Sequence, residues 1–176
     1  MTTSARVLDL VYEAVQLVQD AKGRVYRPGI LPSAQGSYPQ IKVKLGGESR
    51  QSLGRGAVQF ITTATVRVIG EVSAPAKADD VQTSAVEERL WLLKRDIEIA
   101  VIGSYPLFSE VQQLASVQAQ LAYDAQNTYL GGVQIDLAFE FYEGPEDFAP
   151  LVTDDLEDVD LRLPDDGPGF SANLSQ

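Results

Sequence analysis

Apolar positions in the first 143 residues recur with two different periods. Val7, Leu8, Val11, Val15 and Val18 fall one, three or four apart, while Asp9, Glu13, Gln16 and Asp20 interrupt them. That is the stripe of an amphipathic helix, predicted from Ser4 to about Ala21 and ended by Gly23 and Pro28. Arg24 to Pro39 reads as a long loop. Ile41, Val43 and Leu45 then alternate with Lys42 and Lys44, a half-buried strand that should stop at Gly46-Gly47. The polar, glycine-rich run from Gly46 to Gly56 reads as a mobile connection.

Residues 57–72 carry the longest alternation. Val58, Phe60, Thr62, Ala64, Val66, Val68 and Val72 share one face, and Gln59, Thr63, Thr65, Arg67 and Glu71 share the other. A strand of that length reaches ~53 Å, longer than a core of this size needs, so part of it is expected to protrude as one arm of a hairpin. Ser84 and Glu87 form a capping box ahead of Val86, Leu90, Leu93, Ile97 and Ala100, a second helix ending near Gly103. Residues 114–123 and 133–142 read as two further strands. Strands joined without an intervening helix favour antiparallel pairing. The prediction is therefore an α+β domain over residues 1–143, with a four-stranded, mainly antiparallel sheet and two helices packed on one face.

Two features exceed what one core requires. Trp91, Leu92 and Ile99 lie off the inward stripe of the second helix, and a second apolar face implies a second partner, most simply another copy of the chain. Beyond residue 143 the composition also changes. Residues 144–176 carry nine of the 25 acidic side chains and one basic one, with four prolines and three glycines, and this is read as an extended acidic arm. Within it Val159, Leu161 and Leu163 alternate with Asp160 and Arg162, the pattern of a strand able to join a neighbour's sheet edge.

Charge and residue inventory narrow the chemistry. A formal charge of −11 opposes binding through phosphate neutralisation. The absence of cysteine and histidine removes disulfides, thiolate nucleophiles, Cys/His zinc sites and imidazole bases. No P-loop, G-x-S-x-G or S-x-x-K motif occurs, and Gly54-Arg55-Gly56 lacks the strand-to-helix setting of a dinucleotide site. The carboxylates Asp154, Asp155, Glu157, Asp158 and Asp160 lack the glycine and the final glutamate of a calcium loop. Asp79-Asp80 suits a helix N-terminus. No catalytic residue, cofactor or metal is expected. Lys42, Lys44, Arg50 and Arg55 stand out in an acidic chain and are expected to face an acidic or polar partner. With no run of about 20 apolar residues, and with Asp9 and Glu13 inside the most apolar N-terminal segment, the chain reads as soluble, made in the cytoplasm and free of the membrane.

The succession of pieces resembles a known family. An N-terminal helix and a proline-containing loop lead into Tyr38-Pro39-Gln40-Ile41-Lys42-Val43, followed by Gly46-Gly47-Glu48 and a long strand. Next come a helix with Glu88-Arg89-Leu90 and a last strand ending Ala138-Phe139-Glu140-Phe141-Tyr142. Over residues 5–143 this is similar to the tail terminator, or tail completion, proteins of long-tailed bacteriophages. The resemblance implies a virion protein of the tail or neck that forms a hexameric ring on the tail tube and stops its polymerisation. The opposite ring face would meet a head-side connector or stopper protein, while DNA passes through the lumen without specific binding. The extension 144–176 and the long 46–56 connection depart from the family layout. A connector or stopper ring subunit shares size, charge and layout, and a small carboxylate-dependent enzyme would need two acidic groups converging in an apolar pocket.

Overall fold

The computed structural model describes residues 2–27, 38–56, 58–73, 81–123, 130–148, 158–161 and 170–173. Asp79-Asp80, Leu163 and the carboxylates 154, 155 and 157 lie outside them. In chain order the elements are α1 (Ser4–Val15), β1 (Val25–Tyr26), β2 (Gln40–Ser52), β3 (Phe60–Ser73), α2 (Val81–Ile102), α3 (Tyr105–Phe108), β4 (Gln113–Tyr123), β5 (Leu130–Glu143), β6 (Asp158–Leu161) and β7 (Phe170–Asn173). The architecture is α+β. A five-stranded sheet runs in the order β1-β2-β3-β5-β4, and β6 and β7 form a separate antiparallel pair. All ladders of the main sheet are antiparallel except β1 with β2.

Alternation in the strands builds the core directly. Thr62, Ala64, Val66, Val68 and Val72 of β3 are buried, as are Val133, Ile135, Leu137, Phe139 and Phe141 of β5. The register sets Val66 against Leu137 and Val68 against Ile135, so these side chains share one sheet face. Val7, Leu10, Val11 and Val15 of α1 and Val86, Leu90, Leu93, Ile97 and Val101 of α2 belong to the same hydrophobic cluster. Both helices therefore cover that face. Gly70 allows α2 to come close, because a Cβ there would stand 2.8 Å from Leu93 Cδ2 and 3.2 Å from Val133 Cγ1. Gly70→Val should overpack this contact and lower stability by about 2 kcal/mol, read as a fall in Tm by circular dichroism.

The sheet has five strands, not four, because the presumed loop contains β1. Two residues are too few to show a period. Val25 and Tyr26 are held instead by tertiary contacts: Ile41 N donates to Arg24 O at 2.9 Å, and the Arg24 guanidinium donates to Pro39 O at 2.8 Å and Tyr38 O at 3.2 Å. The first helix stops at Val15, earlier than its apolar period. Val18 and Ala21 remain buried through a single 3-10 turn, after which Lys22 (φ 48°) and Gly23 (φ 77°) reverse the chain in the left-handed region. Thr3 caps α1, its hydroxyl accepting from Arg6 N at 3.2 Å. The second helix begins at Val81, so Ser84 lies inside its first turn and is not its cap.

The glycine pair at 46–47 does not end the second strand. A β-bulge between Leu45 and Gly47 absorbs one extra residue, and pairing with β3 continues as far as Ser52 opposite Phe60. The connection expected over 46–56 is thus mostly strand, and a short tip remains between β2 and β3. The bulge also exchanges the faces of the strand. Ile41 and Val43 point to the core before it, whereas Glu48 and Arg50 pair with Ala64 and Thr62 and lie on the helix side after it.

Candidate interaction surface

Helix α2 has two apolar faces. At about 100° per residue, Val86, Leu90, Leu93, Ile97 and Val101 gather on one side and are all buried. Trp91, Leu92, Ile99 and Ile102 fall within an arc of about 100° on the opposite side, each half-exposed, with Arg95 in their midst. Tyr105, just past the helix end, is exposed as well. Two shallow troughs follow this face, one lined by Glu88, Trp91, Leu92, Lys94, Arg95 and Glu98 and the next by Arg95, Glu98, Ile99 and Ile102.

Charges frame the stripe. Lys94 Nζ stands 5.5 Å from the Trp91 ring centre and 2.6 Å from Glu98 Oε1, one helical turn on. The three residues predicted from the sequence, Trp91, Leu92 and Ile99, are thus brought together on one outward face. Ile102 and Tyr105 extend it and were not singled out, although Ile102 stands eleven residues from Trp91, close to three whole turns. At the N-terminal part of the helix a cleft is lined by Asp20, Lys22, Tyr38, Pro39, Val72, Arg89 and Leu92, with Asp20 as its single carboxylate among the described residues.

The cations of β2 are placed differently from one another. Arg50 Nε donates to Glu143 Oε2 at 2.7 Å and its Nη2 lies 3.0 Å from Glu48 Oε1. The Glu143 side chain is 4% exposed and also accepts from the Thr62 hydroxyl, and Glu48 accepts from Ser4 at the start of α1. The hydrogen bond from Arg50 holds the Glu143 carboxyl below the usual glutamate range and, reciprocally, raises the Arg50 guanidinium. Phe148, on the 3-10 turn Pro145–Phe148, meets Phe60 edge-on at 5.7 Å, and the Arg50 guanidinium lies 6.0 Å from its ring centre. The chain is therefore anchored as far as residue 148, and the charge of Arg50 is committed within its own domain. Arg55 is exposed at the hairpin tip. Arg55→Glu should leave stability within about 0.5 kcal/mol of the parent by thermal melting, so any effect on assembly reports a partner contact.

On the open face of the sheet Arg67 and Lys42 are matched by carboxylates, while Lys44 stands opposite Arg67 in the β2–β3 register and acts on Asp136 only through its charge. Arg67 forks onto Asp136 with bonds of 2.7 and 3.0 Å, and Lys42 Nζ lies 2.8 Å from Glu71 Oε1. The bond from Arg67 keeps the Asp136 carboxyl below its ordinary range, and Gln134 adds a second donor. The face thus presents a mixed-charge lattice in place of a basic patch. Among the described residues no group of three or more carboxylates is gathered where a metal ion would be held, and no helix is long and apolar enough to cross a membrane.

Val159 and Leu161 lie on β6, whose residues pair with β7 in the register Val159 with Ala172 and Leu161 with Phe170. The third member of that apolar set, Leu163, is outside the described residues. A strand is present over Val159 and Leu161, with a partner strand that begins twelve residues after it does in the same chain. The comparisons with family models and with curated proteins return no match.

Proposed function

We propose that this chain is a structural ring subunit of a long-tailed bacteriophage, a tail terminator that caps the tail tube, stops its growth and joins it to the head-side connector. The observation that carries the reading is the pair of opposed apolar faces on α2. One is fully used by the core, while the other offers Trp91, Leu92, Ile99 and Ile102 to a second subunit. Repeated head to tail, such a contact closes into a ring, and six copies is the number the family resemblance implies. The long β2–β3 hairpin supplies a projection toward one neighbour along the tail, with Arg55 at its tip. The β6–β7 pair of the acidic segment supplies another. A net charge of −11 suits a lumen through which DNA passes without adhering.

Electron microscopy of the purified protein, alone and mixed with its tube protein, tests this reading. Six-fold rings, and tubes bearing one added ring at a blunt end, are the expected images. Sedimentation showing a monomer at every accessible concentration, with tube and connector proteins also present, would sink it.

A further inference from the structure

The long edge of the main sheet lies along β4. Its sequence, Gln113 to Tyr123, contains no charged residue, no proline and no glycine, and residues 115–120 are all exposed. Natural edges of this length are ordinarily blocked by charge, proline, distortion or cover. The opposite side of the sheet is guarded in that way, since β1 is two residues long and β2 beyond it carries Lys44, Glu48 and Arg50, two glycines and a bulge. The β4 bulge between Leu114 and Ser116 sits near one end, so pairing with β5 is regular from Ser116 to Tyr123. Among the described residues nothing pairs with its outer edge.

From these features we infer that the β4 edge is an acceptor for strand β6 of a neighbouring copy. A pair of four-residue strands such as β6 and β7 is marginal in water by itself and gains from a third strand. The patterns also match. Along β4, Val117, Ala119 and Leu121 lie opposite Leu137, Ile135 and Val133 on the helix side, whereas Ser116, Gln118 and Gln120 lie on the open side. In sequence, Val159 and Leu161 alternate with Asp158 and Asp160. A strand laid with its apolar residues on the helix side extends the core edge and meets the carboxylates with glutamine amides, which donate to them without adding charge. The edge carries no acid to repel the donor, and Asp136, one strand further in, is already paired with Arg67. A neighbour's β6 on this edge is a head-to-tail contact, as a closed ring requires. The inference rests on the ring reading in that respect and adds the acceptor.

Because the protein has no cysteine, directed disulfides read the contact cleanly. Full-length chains carrying Asp160→Cys are mixed with chains carrying a single cysteine at Ser116, Val117, Gln118, Ala119 or Gln120, and mildly oxidised. Covalent dimers of unlike chains are expected for the open-side set Ser116, Gln118 and Gln120, at least tenfold over Val117 and Ala119. Three results overturn the inference: no linkage between unlike chains, linkage of β4 cysteines only with one another, or closure within a single doubly substituted chain at high dilution. Sedimentation of the same mixtures separates the two claims. Rings without the disulfide reject strand addition and leave the α2 contact standing, whereas a monomer throughout rejects both.

Discussion

Replacing Leu92 by glutamate should take the assembled protein apart while leaving the subunit folded. Leu92 is half-exposed in the isolated chain and lies outside the buried core cluster, so the monomer loses little. In an assembled contact the substitution forfeits the burial of a leucine, about 1 to 1.5 kcal/mol for the exposed half, and adds the desolvation of a carboxylate. Together these cost about 3 kcal/mol in each contact, a loss of more than about 100-fold in affinity. In a ring every subunit makes the contact twice. Sedimentation velocity should show the fast species replaced by monomer, with an unchanged far-ultraviolet spectrum and a Tm within a few degrees. An unchanged ring would place the interface away from this face. Trp91→Ala serves as the companion, expected to weaken the contact without introducing charge.

The second large effect is expected at Arg50, and it concerns stability. Arg50→Ala removes the forked partner of Glu143, a carboxylate that is 4% exposed and keeps only the Thr62 hydroxyl. Breaking a fully buried pair costs roughly 3–5 kcal/mol. Here Arg50 is 43% exposed and water reaches the cluster, so about 2 kcal/mol is the expected loss in urea unfolding. The same change leaves the Phe148 ring only its edge contact with Phe60 and should raise hydrogen exchange around residues 145–148. Glu143→Gln, which keeps shape but not charge, should recover part of the loss seen in Arg50→Ala when the two are combined.

Acid should act through the same pair. The folded-state pKa of Glu143 lies below its ordinary value of 4.5, and that of Asp136 below 3.8, in both cases chiefly through arginine hydrogen bonds. An acid held low in the folded state contributes stability that is complete above its unfolded pKa and is lost as pH falls through the folded one. Stability should accordingly be flat from neutrality to about pH 5, then fall below about pH 4.5. Glu143→Gln should flatten the upper part of that fall, and Asp136→Asn the lower part.

Much of the domain was legible in the order of residues because local periods report which side chains meet the core. The two-residue period predicted the buried face of β5 and that of β3 from Thr62 onward, since each ladder is long, regular and covered on one side only. Val58, placed on the same face by its period, precedes β3 and is exposed. The two faces of α2 were legible for the same reason, and Trp91, Leu92 and Ile99 could be named as outward before any packing was known. By itself the sequence thus determined the α+β class, the strands that carry the core and the surplus apolar face. The tertiary structure decided what no local period encodes. β1 exists because Arg24 reaches Tyr38 and Pro39, a contact between segments fourteen and fifteen residues apart. The bulge beside Gly46 turns Glu48 and Arg50 onto the helix side, where one extra residue reverses an alternation that looks unbroken in sequence. Glu143 then draws Arg50 inward across 93 positions, so this cation anchors the root of the acidic segment, which no local pattern announces. Periodicity is a property of neighbouring residues, whereas register and ion pairing depend on which distant segments are brought side by side.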